Sequence, residues 1–258
     1  MNDLLLLLGM GRDGLALGLA VFLRIGAAMA LLPAFGEQSV PARVRLGLGL
    51  AFTLIVAPAV SGVLAPAVAR PADHPGLWVT EPLIGLAFGV SLRLSVMLLQ
   101  IAGTIIAQSI SLSQAFVSAG AEPTPVVGEI LVMGALALAV SFGLHLRVAE
   151  ALVETYGIFP PGTWPTGSEL LTWGIGRIGA SFALGFSLAM PFVIAALVYN
   201  VALGVINKAM PQLMVAFVGA PALTLGGLAL LALVAPALLS VWLDAVGREL
   251  EHPLGATR

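Results

Sequence analysis

Leu188-Ala-Met-Pro191-Phe-Val-Ile-Ala-Ala-Leu-Val-Tyr199-Asn200-Val-Ala-Leu-Gly204-Val-Ile-Asn207-Lys208-Ala-Met-Pro211-Gln212-Leu-Met-Val-Ala-Phe217-Val-Gly219-Ala-Pro221 is a long apolar run with one short polar interruption. It reads as two helices joined at a tip, Asn207 to Gln212, that carries the only lysine of the chain. The ordinary reading of such a tip is a solvated turn. The functional one is a docking surface that holds its charge clear of mid-bilayer.

The same pattern extends over all 258 residues, of which 59% are hydrophobic and 9% charged, with a mean hydropathy of +1.07. A soluble domain carries about 25% charged residues, so this composition predicts an integral membrane protein. An ionised side chain at mid-bilayer costs roughly 2.5–3.5 kcal/mol, and the gaps between charges therefore outline the spans. Six emerge, at 14–35, 46–64, 82–112, 126–146, 178–206 and 222–243, giving an all-α membrane protein of about six hydrophobic helices. The third is longer than a bilayer requires and must tilt, bend or protrude. Residues 147–168 form the longest hydrophilic stretch and read as a connector punctuated by Tyr156-Gly-Ile-Phe-Pro-Pro-Gly-Thr-Trp164-Pro. The N-terminus has no basic region ahead of Leu4–Leu8, which argues against a removable signal peptide. The net charge of −2 points to no nucleic-acid partner, and the absence of cysteine excludes disulfides and thiolate metal sites.

An enzyme needs a nucleophile, a base or a metal set. The sequence has no His-Glu-x-x-His, no Gly-x-Ser-x-Gly and no Gly-rich phosphate loop. Gly179-Ala-Ser181 with His145 has the order opposite to that of an intramembrane serine protease, and Ser181 reads as a helix-packing residue. Neither a catalytic set nor a cofactor is implied. Span interiors lack Asp and Glu, which weighs against an ion-coupled carrier. Arg24, Arg93 and Arg177 do lie within helices, with Glu81, Glu129 and His145 near helix ends as partners. Such arginines either snorkel and cap protein contacts or line a hydrated passage. Pro58, Pro191 and Pro236 interrupt the backbone ladder and suit helices around a passage. Gly14/Gly18 and Gly85/Gly89 have the spacing of close helix packing. Arg12, Arg70, Arg147 and Arg248 outnumber Arg43, Arg45 and Lys208 across the six spans, a lean toward cytoplasmic termini that the tightest loop alone would reverse.

Pro191, Asn200, Gly204, Lys208, Pro211, Gln212, Gly219 and Pro221 together give a pattern that resembles the FliR family of flagellar biosynthesis proteins, whose relatives serve injectisomes. Lys208 stands where the family often has arginine, and Ala220 where an aromatic is frequent. Arg24, Pro33-Ala-Phe-Gly36 and Pro41-Ala-Arg43-Val-Arg45 are similar to its N-terminal signature. Glu81, Gly85, Gly89 and Gln100-Ile-Ala-Gly103 are similar to its third segment, and Gly143-Leu-His145 with Tyr156-Gly-Ile-Phe-Pro160 to a later stretch. One region departs: Phe116-Val-Ser-Ala-Gly120-Ala-Glu122-Pro123-Thr-Pro125 stands where relatives commonly have Met-Asp-Pro.

The resemblance implies a non-enzymatic, channel-forming subunit of the type III secretion export gate in the bacterial inner membrane, within the flagellar basal body or an injectisome. It would assemble with FliP-like and FliQ-like subunits and an FlhB-like protein, and conduct unfolded export substrates. It further implies a FliP-like part at 1–170, a FliQ-like hairpin at 171–258 and periplasmic termini, the reverse of the charge lean. On this reading Asn207, Lys208, Pro211 and Gln212 contact partners, while Arg43 and Arg45 pair with a neighbouring subunit or with membrane lipid. The segment from Ser109 to Pro125, including Gln114, Phe116, Gly120, Glu122 and Pro123, helps close the resting channel, because small and polar residues permit displacement and Phe116 offers a dewetting constriction. The competing reading is a stand-alone solute transporter or channel. That class usually shows internal repeats, and the two halves have no convincing self-similarity.

Overall fold

Apolar runs this long in a chain this poor in charge can satisfy their backbone groups in lipid only as helices, and helices are what form. The computed structural model describes residues 2–36, 40–70, 72–110, 126–210 and 215–255. Among them are seven α-helices and no strand: α1 (Asn2–Met29), α2 (Ala42–Ala69), α3 (Leu77–Ser109), α4 (Val126–Ser141), α5 (Leu144–Ile158), α6 (Gly167–Ala209) and α7 (Val215–Glu251), followed by a 3-10 turn at Pro253–Gly255.

The expected six segments become seven because the fourth is broken. Gly143 takes the left-handed conformation at φ 79°, which an L side chain resists. Its N–H closes α4 on the Val140 carbonyl, while its own carbonyl accepts from Leu146 and Arg147 to start α5. The chain bends by 76° there. The span expected at 126–146 therefore ends at Ser141, and much of the stretch expected as a polar connector is helix. Its buried positions, Leu144, Val148, Ala151, Leu152, Thr155 and Tyr156, recur at helical spacing.

Helices α2, α6 and α7 run on through Pro58, Pro191 and Pro236; among the described residues the one sharp break between paired apolar helices is at a glycine. Among the described residues four helices are long and apolar enough to cross a membrane, α2, α3, α6 and the Pro221–Glu251 part of α7, and a fifth span results if α4 and α5 count as one. These helices identify a multi-pass membrane protein. At 1.5 Å per residue, the 43 residues of α6 extend about 65 Å, roughly twice the hydrocarbon thickness.

Two compact units form. The first holds Met1–Leu94, Ala139–Arg177 and Ala245–Arg258; the second holds Ser95–Leu138 and Ile178–Asp244. In the first unit α1 packs along α2, α2 against α5, and α5 on the 3-10 turn. Val56, Val60 and Leu64, one turn apart on α2, are buried there with Ala20, Val21, Ile25 and Ala28 of α1. In the second unit, Gly103 of α3 lies against Gly128 of α4, and Gly185 of α6 against Leu98 of α3. The indole N–H of Trp242 donates to the Ser95 carbonyl. Tyr199 donates its hydroxyl to the Gly219 carbonyl at 2.9 Å, tying α6 to α7 across the expected hairpin.

Candidate functional site

The most polar buried point of the first unit is built on Arg24, which α1 carries among Val21, Ile25 and Ala28, all fully buried, as is the arginine itself. A guanidinium can be taken out of water only if its donors are met. Its Nε donates to Glu81 Oε2 at 2.8 Å and its Nη2 to Glu81 Oε1 at 3.0 Å, a two-pronged pair. Nη1 donates to Thr155 Oγ1 at 3.1 Å, and Nη2 also reaches the Phe159 carbonyl at 3.1 Å. The ring of Tyr156 lies 3.6 Å from the guanidinium carbon, adding cation–π attraction. Thr155 passes its own proton to the Leu152 carbonyl at 2.6 Å.

Each of these groups is delivered by local sequence. Glu81 lies in the second turn of α3, and one turn later Gly85 admits the backbone of α1, since a Cβ there would fall on the Arg24 carbonyl. Gly89 repeats the arrangement against Ala28, where a Cβ would stand 2.8 Å from the carbonyl oxygen. The Gly85/Gly89 spacing thus serves packing within the chain, whereas Cβ atoms at Gly14 and Gly18 would meet nothing within 4 Å. Thr155, Tyr156 and Phe159 come from the end of α5 and the residue after it. One side chain on α1 therefore fastens α3, α5 and the start of the α5–α6 loop. The arrangement locks these elements together.

A second ion pair joins Arg177 on α6 to Glu249 near the end of α7. Glu81 was legible as an arginine partner. Glu249 was not, because it falls beyond the sixth expected span, among Asp244, Arg248 and Glu251. Thr155 and Tyr156 were also missed, within a stretch read as a connector; the helical spacing of its apolar residues was the signal for them. Glu129 and His145, the other expected partners, are exposed. Arg93 is half-buried on α3.

Arg43 is exposed in the first turn of α2, and Arg45 beside it is half-buried, with Nη2 donating to the Val40 carbonyl at 3.4 Å. Asn207 and Lys208 are exposed in the last turn of α6, where a cation complements the helix dipole. Pro211 and Gln212 lie outside the described residues. So do Gln114, Phe116, Gly120, Glu122 and Pro123, while Ser109 ends α3 and donates to the Ile105 carbonyl at 2.7 Å.

Known proteins are similar in sequence over most of the chain's length. The family described as "Bacterial export proteins, family 1" matches residues 15–248. The flagellar biosynthetic protein FliR of Caulobacter vibrioides is 34% identical over 226 residues, 87% of this chain and 90% of that protein. FliR of Escherichia coli K12 is 33% identical over 219 residues, 83% of this chain and 82% of that one, and FliR of Bacillus subtilis 168 is 28% identical over 209 residues, covering 79% and 80%. With one family pattern running from before the arginine lock to the last turn of α7, and identity above 30% across most of the chain, this protein belongs to the bacterial export proteins, family 1, alongside the FliR proteins.

Proposed function

We propose that the chain is a structural, channel-forming subunit of the flagellar type III export gate in the bacterial inner membrane, where it assembles with FliP-like and FliQ-like subunits and an FlhB-like protein around a path for unfolded substrates. The observation that carries this reading is the outer face of α6. Leu171, Ile175, Phe182, Phe186, Leu197, Val201 and Val205 are exposed along it, a run of about 50 Å at 1.5 Å per residue against a hydrocarbon layer of about 30 Å. Lipid can cover only about half of such a helix, and contiguous apolar surface left over marks a protein interface. In this reading 1–170 form the FliP-like part and 171–258 the FliQ-like hairpin, with Lys208 and Asn207 at the partner-facing tip and Arg43 and Arg45 toward a neighbouring subunit or lipid phosphates.

Purification of the tagged chain in mild detergent, with an amine-reactive crosslinker present, tests this. FliP-like and FliQ-like proteins should be recovered with it, and Lys208 should crosslink to a FliQ-like or FlhB-like chain. Replacing both Arg43 and Arg45 by Gln should lower recovery of the complex more than membrane insertion. A chain recovered alone and stable, with Lys208 modified only from the periplasm, overturns the proposal.

We also infer that the segment following Ser109, through Pro125, contributes to closure of the resting channel. Its support is the change in the sequence from apolar helix to small and polar residues with Gly120 ahead of two prolines. Deleting 116–120 in an assembled gate should raise ion leakage across the membrane while the subunits still assemble. Unchanged conductance in such a gate removes the segment from the closure mechanism.

A further inference from the structure

The first unit contains a cavity of about 640 Å³ that adjoins the arginine lock at Phe159 and that the export reading does not use. Its volume falls within the roughly 300–1,000 Å³ usual for small-molecule sites. Leu83, Ile84 and Ala87 of α3 and Ile158 of α5 give it apolar walls. Ser168, Glu169 and Thr172, in the first turns of α6, also line it and are exposed, so its polar lining faces outward.

Two observations identify what enters. The first is the level at which the cavity lies. Three of the four tryptophans in the chain gather at this end of the unit: Trp173 lines the cavity, Trp164 lies against Gly76 ahead of α3, and Trp78 is in the first turn of α3. Trp78 and Trp164 are 40% and 58% exposed. Exposed tryptophan collected at one end of an apolar bundle marks the headgroup level of a bilayer. The second is charge. Glu169 Oε2 accepts from the Thr166 N–H at 2.8 Å, and the Glu169 N–H donates to Thr166 Oγ1 at 3.3 Å. This capping box engages Oε2 of Glu169, which is exposed and is the acid among the cavity-lining residues.

We propose that this cavity holds one phospholipid with a primary-amine headgroup. An acyl chain lies against Leu83, Ile84, Ala87 and Ile158, and the ammonium meets Glu169. The apolar walls exclude a fully polar ligand, because nothing along them would satisfy its hydrogen bonds. The carboxylate at the mouth disfavours an anionic lipid, and the Arg177 guanidinium near the lining residue Gly255 is already paired with Glu249.

Native mass spectrometry of the full-length chain, purified in detergent and titrated with dioleoyl phosphatidylethanolamine or phosphatidylglycerol, tests the assignment. One retained lipid per chain is expected, with the ethanolamine lipid preferred. Ala87→Phe should fill the wall and abolish retention. Glu169→Gln preserves the capping box, whose third position also takes Gln, so it should retain a lipid while losing about threefold of the headgroup preference, the scale of an exposed ion pair. The proposal is overturned by a wild-type chain that holds only detergent, by equal retention in Ala87→Phe, or by a preference for phosphatidylglycerol. If Ala87→Phe fails to fold, an unchanged headgroup preference in Glu169→Gln overturns it independently.

Discussion

Arg24→Met should lower the stability of the folded chain by about 3–5 kcal/mol, the cost of removing one member of a buried ion pair. Glu81 has no exposed surface and would be left buried without its cation, while the Phe159 carbonyl and Thr155 Oγ1 each lose a donor. Membrane and soluble domains alike have marginal stability, of the order of 5–15 kcal/mol, so the substitution removes a large share of it. Glu81→Met should cost a similar amount, by stranding the guanidinium instead. The double replacement, Arg24→Met with Glu81→Met, should lie far closer to wild type than the two losses added, because it leaves no unpaired charge and fills the space with apolar atoms. Arg24→Lys should recover little, since an ammonium cannot reproduce the two-pronged contact with Glu81 or stack on Tyr156. Denaturant titrations of the four variants, analysed as a double-mutant cycle, give the coupling directly. Strict additivity of the two single losses would show that Arg24 and Glu81 do not act as a pair.

This lock also measures how far the sequence could be read. Arg24 and Glu81 were recognisable because ionised groups in an apolar chain are few, and each must find a partner or leave the bilayer. Their pairing follows from chemistry, whereas their geometry depends on α5, which hydropathy conceals. That helix contains Arg147, Glu150 and Glu154 on its outer side, and a count of apolar residues reads such a stretch as a connector. Its buried set is visible only when spacing, not average polarity, is followed. Proline removes one hydrogen bond and was expected to break the helices, yet α2, α6 and α7 accommodate it. The sharp break falls at Gly143, where the backbone conformation itself changes hand. The extension of α7 past Leu243 to Glu251 was not legible from span length, because a helix that leaves the hydrocarbon is no longer constrained by its thickness. That is how Glu249, on the last turns of α7, becomes the partner of Arg177.

Gly85→Ala should destabilise the chain although alanine is the better helix former. Inside an exposed helix the exchange stabilises by about 1 kcal/mol, and Gly62 of α2, exposed and with nothing within 4 Å of an added Cβ, should show that gain. At Gly85 the added carbon falls on the Arg24 carbonyl and within 3.1 Å of the Ala27 side chain. The principal obstacle is backbone, which cannot rotate away as a side-chain tip does, so α1 must move off α3. Overpacking of this kind costs about 1–3 kcal/mol. Here the displaced residue is also the one whose four hydrogen bonds hold Glu81, Thr155 and Phe159, and a shift of a few tenths of an ångström degrades them together. Gly89→Ala meets the Ala28 carbonyl at 2.8 Å and the Leu31 side chain at 3.0 Å, one turn farther from the guanidinium, and should cost less. The expected order of unfolding midpoints is therefore Gly62→Ala above wild type, then Gly89→Ala, then Gly85→Ala. Combining Gly85→Ala with the double methionine variant should be less harmful than the sum of the two, because the hydrogen bonds that the shift degrades are already absent. Equal midpoints for Gly85→Ala and Gly62→Ala would mean that α1 and α3 are not in backbone contact at Arg24, and the geometric basis of the lock would fail with them.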